Sequence, residues 1–424
     1  MKQWKIGRLS AGIGLILLGV LLLIARIQSL YYFEILEKWW PVLIICLGIE
    51  LVVGAFLAGN SKITVTVDGK SVFIAVLIVI FVFVGSGISF AARNKGAFLD
   101  WNGFAFNSYS NEKIVSNKME FQGKKSITIE NKQGKVSIDK SDSDKIQVEA
   151  NIVIAYNNES AVSDLQKQAI EFADGEDLVV STSNQSGKDG AVRKVDYTIK
   201  LPSSVRYDVE SAYGDVSISN ISSDGKSSQS NGSTNITNVK GNTEITNKYG
   251  SVKVDTLEGN LQLSCNNGNI NLFNVKGKIV ASNSYGATNV ESITDDIEFK
   301  GSNGAFTGKN LGGFTKVTSK YGDVNLTNPT KGLNVEANNG TIKIDCNKPI
   351  EGDVTVYSNY GSINTKIVKE QSAKFNCSSR NGTITNDLGL SGDNKNKNST
   401  LGGEINGGKY LFMMETKNGS ISIN

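Results

Sequence analysis

Beyond residue 106 the chain alternates apolar and polar residues in short runs, each closed by a polar turn. The runs are phased by glycine. Glycines 214, 232, 250, 268, 286, 304, 322 and 340 follow one another every 18 residues, with looser members at 361, 382 and 419. Two places after each regular glycine stand Val216, Thr234, Val252, Ile270, Thr288, Phe306, Val324 and Ile342; four places after, Ile218, Ile236, Val254, Leu272, Val290, Gly308, Leu326 and Ile344. A second apolar pair follows, as in Leu261/Leu263 and Ile279/Ala281. A period of two within a short run marks a strand with one buried face. Each unit therefore reads strand, turn, strand, turn. No such unit encloses a core alone, so the units must stack. The predicted fold of residues 206–424 is an all-β, right-handed parallel β-solenoid.

The residue before each glycine alternates: Tyr213, Asn231, Tyr249, Asn267, Tyr285, Asn303, Tyr321, Asn339, Tyr360, then Asn381 and Asn418. The alternation leaves two coil lengths open, 18 or 36 residues. Two sheets facing each other across about 10 Å suit Val, Ile and Leu and favour the shorter coil. The alternation then records duplication of a two-coil unit. Residues 107–205 carry the same pattern less regularly and read as an amino-terminal cap with the first strands. They include strands at Lys145–Ile154 and Val195–Leu201 and a helix over Ala161–Phe172, with Val162, Leu165, Ala169 and Ile170 on one face. The polar run Asp393–Ser399 reads as an exposed loop.

The first 106 residues are a different material. Residues 9–25, 41–58 and 72–92 are apolar runs, and a helix needs about 20 such residues to cross a bilayer. Three membrane spans are expected. Tyr31, Tyr32, Phe33, Trp39 and Trp40 follow the first run, and Trp101, Phe104 and Phe106 follow the third. An odd number of spans brings both groups to one interface, as an aromatic belt requires. The expected topology has a cytoplasmic amino terminus and an extracellular carboxyl-terminal domain. Glu50 interrupts the second run. An ionisable group there is costly and faces protein or water: it either contacts a partner membrane protein or, protonated, bonds Ser86 or Ser89.

Two resemblances follow from these residues. The glycine-punctuated run Ser10–Ile24 and the Lys38-Trp-Trp-Pro opening of the second run resemble the LiaI/LiaF-like transmembrane region of Gram-positive bacteria. That resemblance implies a place in cell-envelope stress sensing. The repeated Tyr-Gly and Asn-Gly corners, after a strand ending in Leu201-Pro202, resemble the bacterial putative-adhesin family, a β-strand-repeat domain of unknown function. It implies an extracytoplasmic β-helix and brings no catalytic residues.

Composition narrows the chemistry. There is no histidine, which removes Ser-His-Asp and Cys-His nucleophile systems and His-ligated zinc. Basic and acidic residues number 44 and 41, so no basic excess marks a nucleic-acid partner. Cys265, Cys346 and Cys377 share no register and read as buried free thiols. Calcium-solenoid repeats are absent, and Gly225-Lys226-Ser227 lacks the earlier glycine of a phosphate loop, since residue 220 is Asn. No catalytic residue, metal or cofactor is expected. Tyr213, Tyr249, Tyr285, Tyr321 and Tyr360 form a candidate surface-binding row, suited to cell-wall glycan, and Glu50 is a candidate membrane contact, for instance with an envelope-stress sensor. The expectation is a membrane-anchored, non-enzymatic, adhesin-like or envelope-stress-associated protein. A structural spacer is one alternative, and a polysaccharide-acting β-helix enzyme another.

Overall fold

The inward residues pair in register. In the computed structural model, Val252 and Val254 lie beside Ile270 and Leu272, and Thr243 and Ile245 beside Leu261 and Leu263, each in parallel strands. Both offsets are 18 residues, so one turn of the chain is the shorter of the two expected coils. Within a coil, Thr243–Tyr249 belongs to one sheet and Val252–Glu258 to the other. The first, called sheet I here, has 16 strands; the second, sheet II, has 15. The structure describes residues 109–424, apart from 184 and 396, together with the strands Lys2–Ile6, Ile63–Val67, Phe98–Leu99 and Ala105–Phe106.

Residues 1–110 and 111–424 form separate compact units. In the first, Lys2–Ile6 pairs in parallel with Ile63–Val67, and Phe98–Leu99 pairs antiparallel with Ala105–Phe106. The three expected spans and Glu50 lie outside the described residues. Among the described residues, no helix is long and apolar enough to cross a membrane.

Two backbone devices shape each coil. At the first corner Gly250 has φ of 136° and its N–H donates to the Asn267 carbonyl of the next coil at 2.8 Å. A Cβ on Gly250 would overlap the Gly232 carbonyl, so coils stack here with backbone against backbone. The second device lies inside the sheet II strands. Asn220, Asn238, Thr256, Asn274, Ser292, Asn310 and Asn328 hold φ between 51° and 61°, a left-handed region that Asn tolerates better than most residues. Asn238 donates to Asn220 at 2.8 Å and Asn328 to Asn310 at 3.3 Å, which ties the first two and the last two of these bends together. Each bend resets the alternation. The very next residue turns inward, so Ile221, Val239, Leu257, Val275, Ile293 and Leu311 are buried beside the two positions expected from the glycine register.

Volume is balanced within one coil. Phe299 of sheet I and Phe306 of sheet II meet with ring centroids 4.6 Å apart. Gly301 and Gly308 make room for them: a Cβ would lie 2.9 Å from the Phe299 ring at the first and 3.2 Å from the Phe306 ring at the second. Gly225 acts similarly, because a Cβ there would overlap the buried ring of Tyr207.

At both ends coils stack out of sequence order. Ser126–Asn131 lies between Asp177–Thr182 and Arg206–Tyr213 in sheet I. Tyr410–Asn418 lies between Val354–Tyr360 and Ala373–Ser379, parallel to both. Antiparallel strands then cover the ends: Lys145–Tyr156 and Asn111–Gln122 on one side, Asn398–Ile405 and Gly392–Lys395 on the other. Asp393–Ser399 is therefore mostly part of a hairpin and not an open loop: Asp393, Asn394 and Lys395 pair with Thr400, Ser399 and Asn398, and the strand Asn398–Ile405 covers the exposed edge of Ala373–Ser379. The helix spans Ser160–Gln168, shorter than expected. Ile170–Asp174 leaves the helical pattern to pair antiparallel with Asp177–Thr182, so a tertiary partner overrides the local apolar spacing.

Candidate ligand-binding edge

Each tyrosine of the row is the last residue of a sheet I strand, directly before a corner glycine. Strict alternation would turn it inward. The chain is already turning at the glycine, and the ring leaves the core instead. Tyr213, Tyr249, Tyr285, Tyr321 and Tyr360 are 55–59% exposed. They are the most regular exposed aromatic groups among the described residues.

The structure places all five on one edge. Tyr249 pairs with Asn267, Asn267 with Tyr285, and Asn303 with Tyr321, so tyrosine and asparagine alternate along the edge rung by rung. After Tyr360 the next rung is Asn418 and not Asn381, because Tyr410–Asn418 is the inserted strand. Asn381 lies one rung further out and donates to Asn418 at 2.9 Å. The alternation thus runs in space from Tyr213 to Asn418 and ends where Asn381 follows Asn418.

The asparagines hold the rungs that carry the rings. Asn231 Nδ2 donates to the Ala212 carbonyl at 3.4 Å, Asn303 to Ser284 at 3.4 Å and Asn418 to Asn359 at 3.2 Å. Each acceptor is the residue just before a tyrosine. Below the corner a second polar set faces inward. Asn247 donates to the Gly232 carbonyl at 3.0 Å, and Asn283 to the Gly268 and Gly286 carbonyls at 3.1 Å each. Gln229 bonds Gly214, and Thr416 bonds Gly361 at 3.0 Å. These bonds satisfy carbonyls at several of the turns, while the Ser211 and Ser358 hydroxyls in the same slot have no hydrogen-bond partner among the described residues. Sequence reasoning missed this inward polar set, although its signal is a Ser, Gln or Asn three residues before many of the corner glycines.

Cys265 occupies the same inward slot, with its sulfur 3.7 Å from the Gly250 carbonyl. Cys265, Cys346 and Cys377 are free and buried. Burial pushes all three thiols up, the last two to about 12.

The column beside the row on sheet I contains Ala212, Ser230, Lys248, Asn266, Ser284, Ser302, Lys320, Asn338 and Asn359, with no carboxylate. The outer face of sheet I is hollowed toward its first coils. One cleft of about 670 Å³ is lined by Arg206, Asp208, Lys226, Glu244 and Gln262 among others. A second of about 440 Å³ reaches Lys248, next to Tyr249. Burial raises the Asp208 carboxyl, against the lowering effect of Lys226. Lys226 lies 3.8 Å from Glu244 on an ordinary strand, Gly225–Asn231, which excludes a phosphate loop there. Among the described residues no group of acidic or sulfur side chains is arranged to hold a metal.

The Toastrack DUF4097 family model matches residues 124–307 and again 306–424, which is most of the chain. The chain belongs to the Toastrack DUF4097 family. A second model, the LiaI-LiaF-like transmembrane region, matches residues 9–52. The Toastrack domain is all-β, with parallel strands stacked in two sheets, and both resemblances read from the corners and the first apolar runs hold. No curated protein matches the chain. Three solved structures are similar over about three quarters of the chain. A putative cell adhesion protein of Clostridium sporogenes is 11% identical, covering 73% of this chain and 99% of its own, with a TM-score of 0.18. A putative adhesin of Bacteroides fragilis is 13% identical, covering 74% and 97%, with a TM-score of 0.22. One of Parabacteroides distasonis is 12% identical, covering 74% and 97%, with a TM-score of 0.29.

Proposed function

We propose that this Toastrack protein is a membrane-anchored, non-enzymatic surface binder. Three spans at 9–25, 41–58 and 72–92 anchor it, the amino terminus is cytoplasmic, and a right-handed solenoid stands outside the cell. The match to the LiaI-LiaF-like transmembrane region supports the anchor. So does the direction of the paired strands in the first unit. Lys2–Ile6 and Ile63–Val67 each precede an apolar run in the sequence, and they are parallel. In a three-span chain both precede an outgoing span from the same side, which brings them together and suits that direction.

The observation that carries the binding reading is the tyrosine edge. Five half-exposed rings in register, on a corner fixed by hydrogen bonds, offer flat apolar faces at low ordering cost. The transmembrane match supports a second role, relay to an envelope-stress sensor, with Glu50 as the contact. Co-sedimentation of the full chain, in detergent, with purified cell walls tests the binding reading. The parent protein is expected in the pellet. The triple variant Tyr249→Ala/Tyr285→Ala/Tyr321→Ala is expected to stay in the supernatant, and equal pelleting of both would remove the tyrosine edge from the function.

A further inference from the structure

The edge has a spacing as well as a composition. Neighbouring rungs of a β-sheet lie about 4.8 Å apart, so tyrosines on every second rung repeat at about 9.6 Å. The same figure puts the five rings along about 38 Å. Rings this far apart do not stack on each other, and of the asparagines between them Asn231 and Asn303 are held down on backbone carbonyls. What remains is a line of separate aromatic platforms at a constant interval.

Extended β-1,4-linked pyranose chains have a matching property. Successive sugars are flipped, so one face of the chain recurs with every second sugar, and the length of that disaccharide repeat is close to the two-rung interval. Other linkages coil the chain or shorten its repeat and lose the match. The polar surroundings are compatible. Beside the rings stand Ser, Asn and Lys, with Lys248 and Lys320 each directly before a tyrosine and no carboxylate in that column. Such a column hydrogen-bonds hydroxyl and amide groups and accepts anionic substituents.

We infer that the tyrosine edge binds an extended β-1,4-linked glycan in step, one tyrosine to each disaccharide. The inference rests on the surface-binding reading above and specifies its ligand class. It also gives the Tyr/Asn alternation a purpose: a tyrosine on every rung would crowd the flipped sugars, and a tyrosine on every third rung would fall out of phase.

The test uses the full chain in detergent micelles, titrated with chito-oligosaccharides and cello-oligosaccharides of increasing length, with α-1,4 and β-1,3 glucan oligomers as contrasts. Affinity should climb in steps of two sugars, by about five-fold per added disaccharide, the factor that one further aromatic contact of ordinary strength supplies. Tyr285→Ala, in the middle of the row, should cost more for long oligomers than Tyr213→Ala at its end, while Tyr285→Phe keeps the ring and the binding. The replaced side chains are exposed, so folding is retained, and circular dichroism verifies it. Affinity that rises equally with every single sugar, or equal binding of α-1,4 and β-1,3 chains, would overturn the in-step match. So would an absence of binding to any of these oligomers. In each of these cases a tyrosine-dependent pelleting with cell walls would leave the surface-binding reading standing. Loss of that dependence would remove both.

Discussion

At the corner glycines the backbone leaves no room for a methyl group. Gly250→Ala combines a strained φ with overlap against the Gly232 carbonyl, and a loss of about 2–4 kcal/mol is expected from strain and displaced packing. Thermal melts of the protein should show it as a clear fall in midpoint, while Ser251→Ala next door leaves the midpoint in place. The buried acids make a second prediction. Burial pushes the Cys346 and Cys377 thiols and the Tyr197 and Tyr207 phenols up to about 12. These groups stay neutral in the fold but ionise in the unfolded chain at their ordinary values. Their contribution is whole below the thiol's usual 9.0 and is lost as pH climbs through the phenol's usual 10.0 toward 12. Stability should therefore hold level through neutral pH and fall steadily from about pH 9 upward. Melts across that range check the slope, and Tyr207→Phe should flatten part of it. Thiol labelling should be slow until denaturant is added, for the same reason.

At the scale of the strand, the glycine register was a dependable guide. Val254 and Leu272, four places after their glycines, are fully buried. Val254→Asp or Leu272→Asp buries an unpaired charge, which the core does not tolerate, and each is expected to cost about 4 kcal/mol or more. An unchanged melting midpoint in both variants would show that the inward face is misassigned. Coil length was also legible, because a core of Val, Ile and Leu fits two facing sheets. Other features were less so. Leu257 and Val275 break strict alternation, and only the left-handed residues before them explain why they face inward. The signal was present as Asn at 220, 238, 274, 310 and 328. It is weak, since Asn is common throughout this chain. Helix length was misjudged where Ile170 found a strand partner that no local pattern announces.

For the whole molecule, sequence order was the misleading guide. The tyrosine row itself was visible as a spacing. Its continuation through Asn418 was not, because only long-range pairing tells which coil sits beside which. The topology carries a prediction on this scale. Protease added to intact cells stripped of their wall should remove the solenoid and leave a membrane fragment ending near residue 110. Survival of the solenoid until the membrane is opened would invert the orientation and end the surface reading. The inserted coil has a kinetic consequence. Solenoids can grow by adding each new coil to the last one made. In sheet I growth in sequence order stops at Val354–Tyr360. Ala373–Ser379 emerges next and pairs with Asn398–Ile405, yet it joins the stack only when Tyr410–Asn418 arrives to lie between it and Val354–Tyr360. The two coils and the hairpin joining them must dock as one late step, so the far end of the stack assembles as a single closing clasp, after every coil before it is already in place.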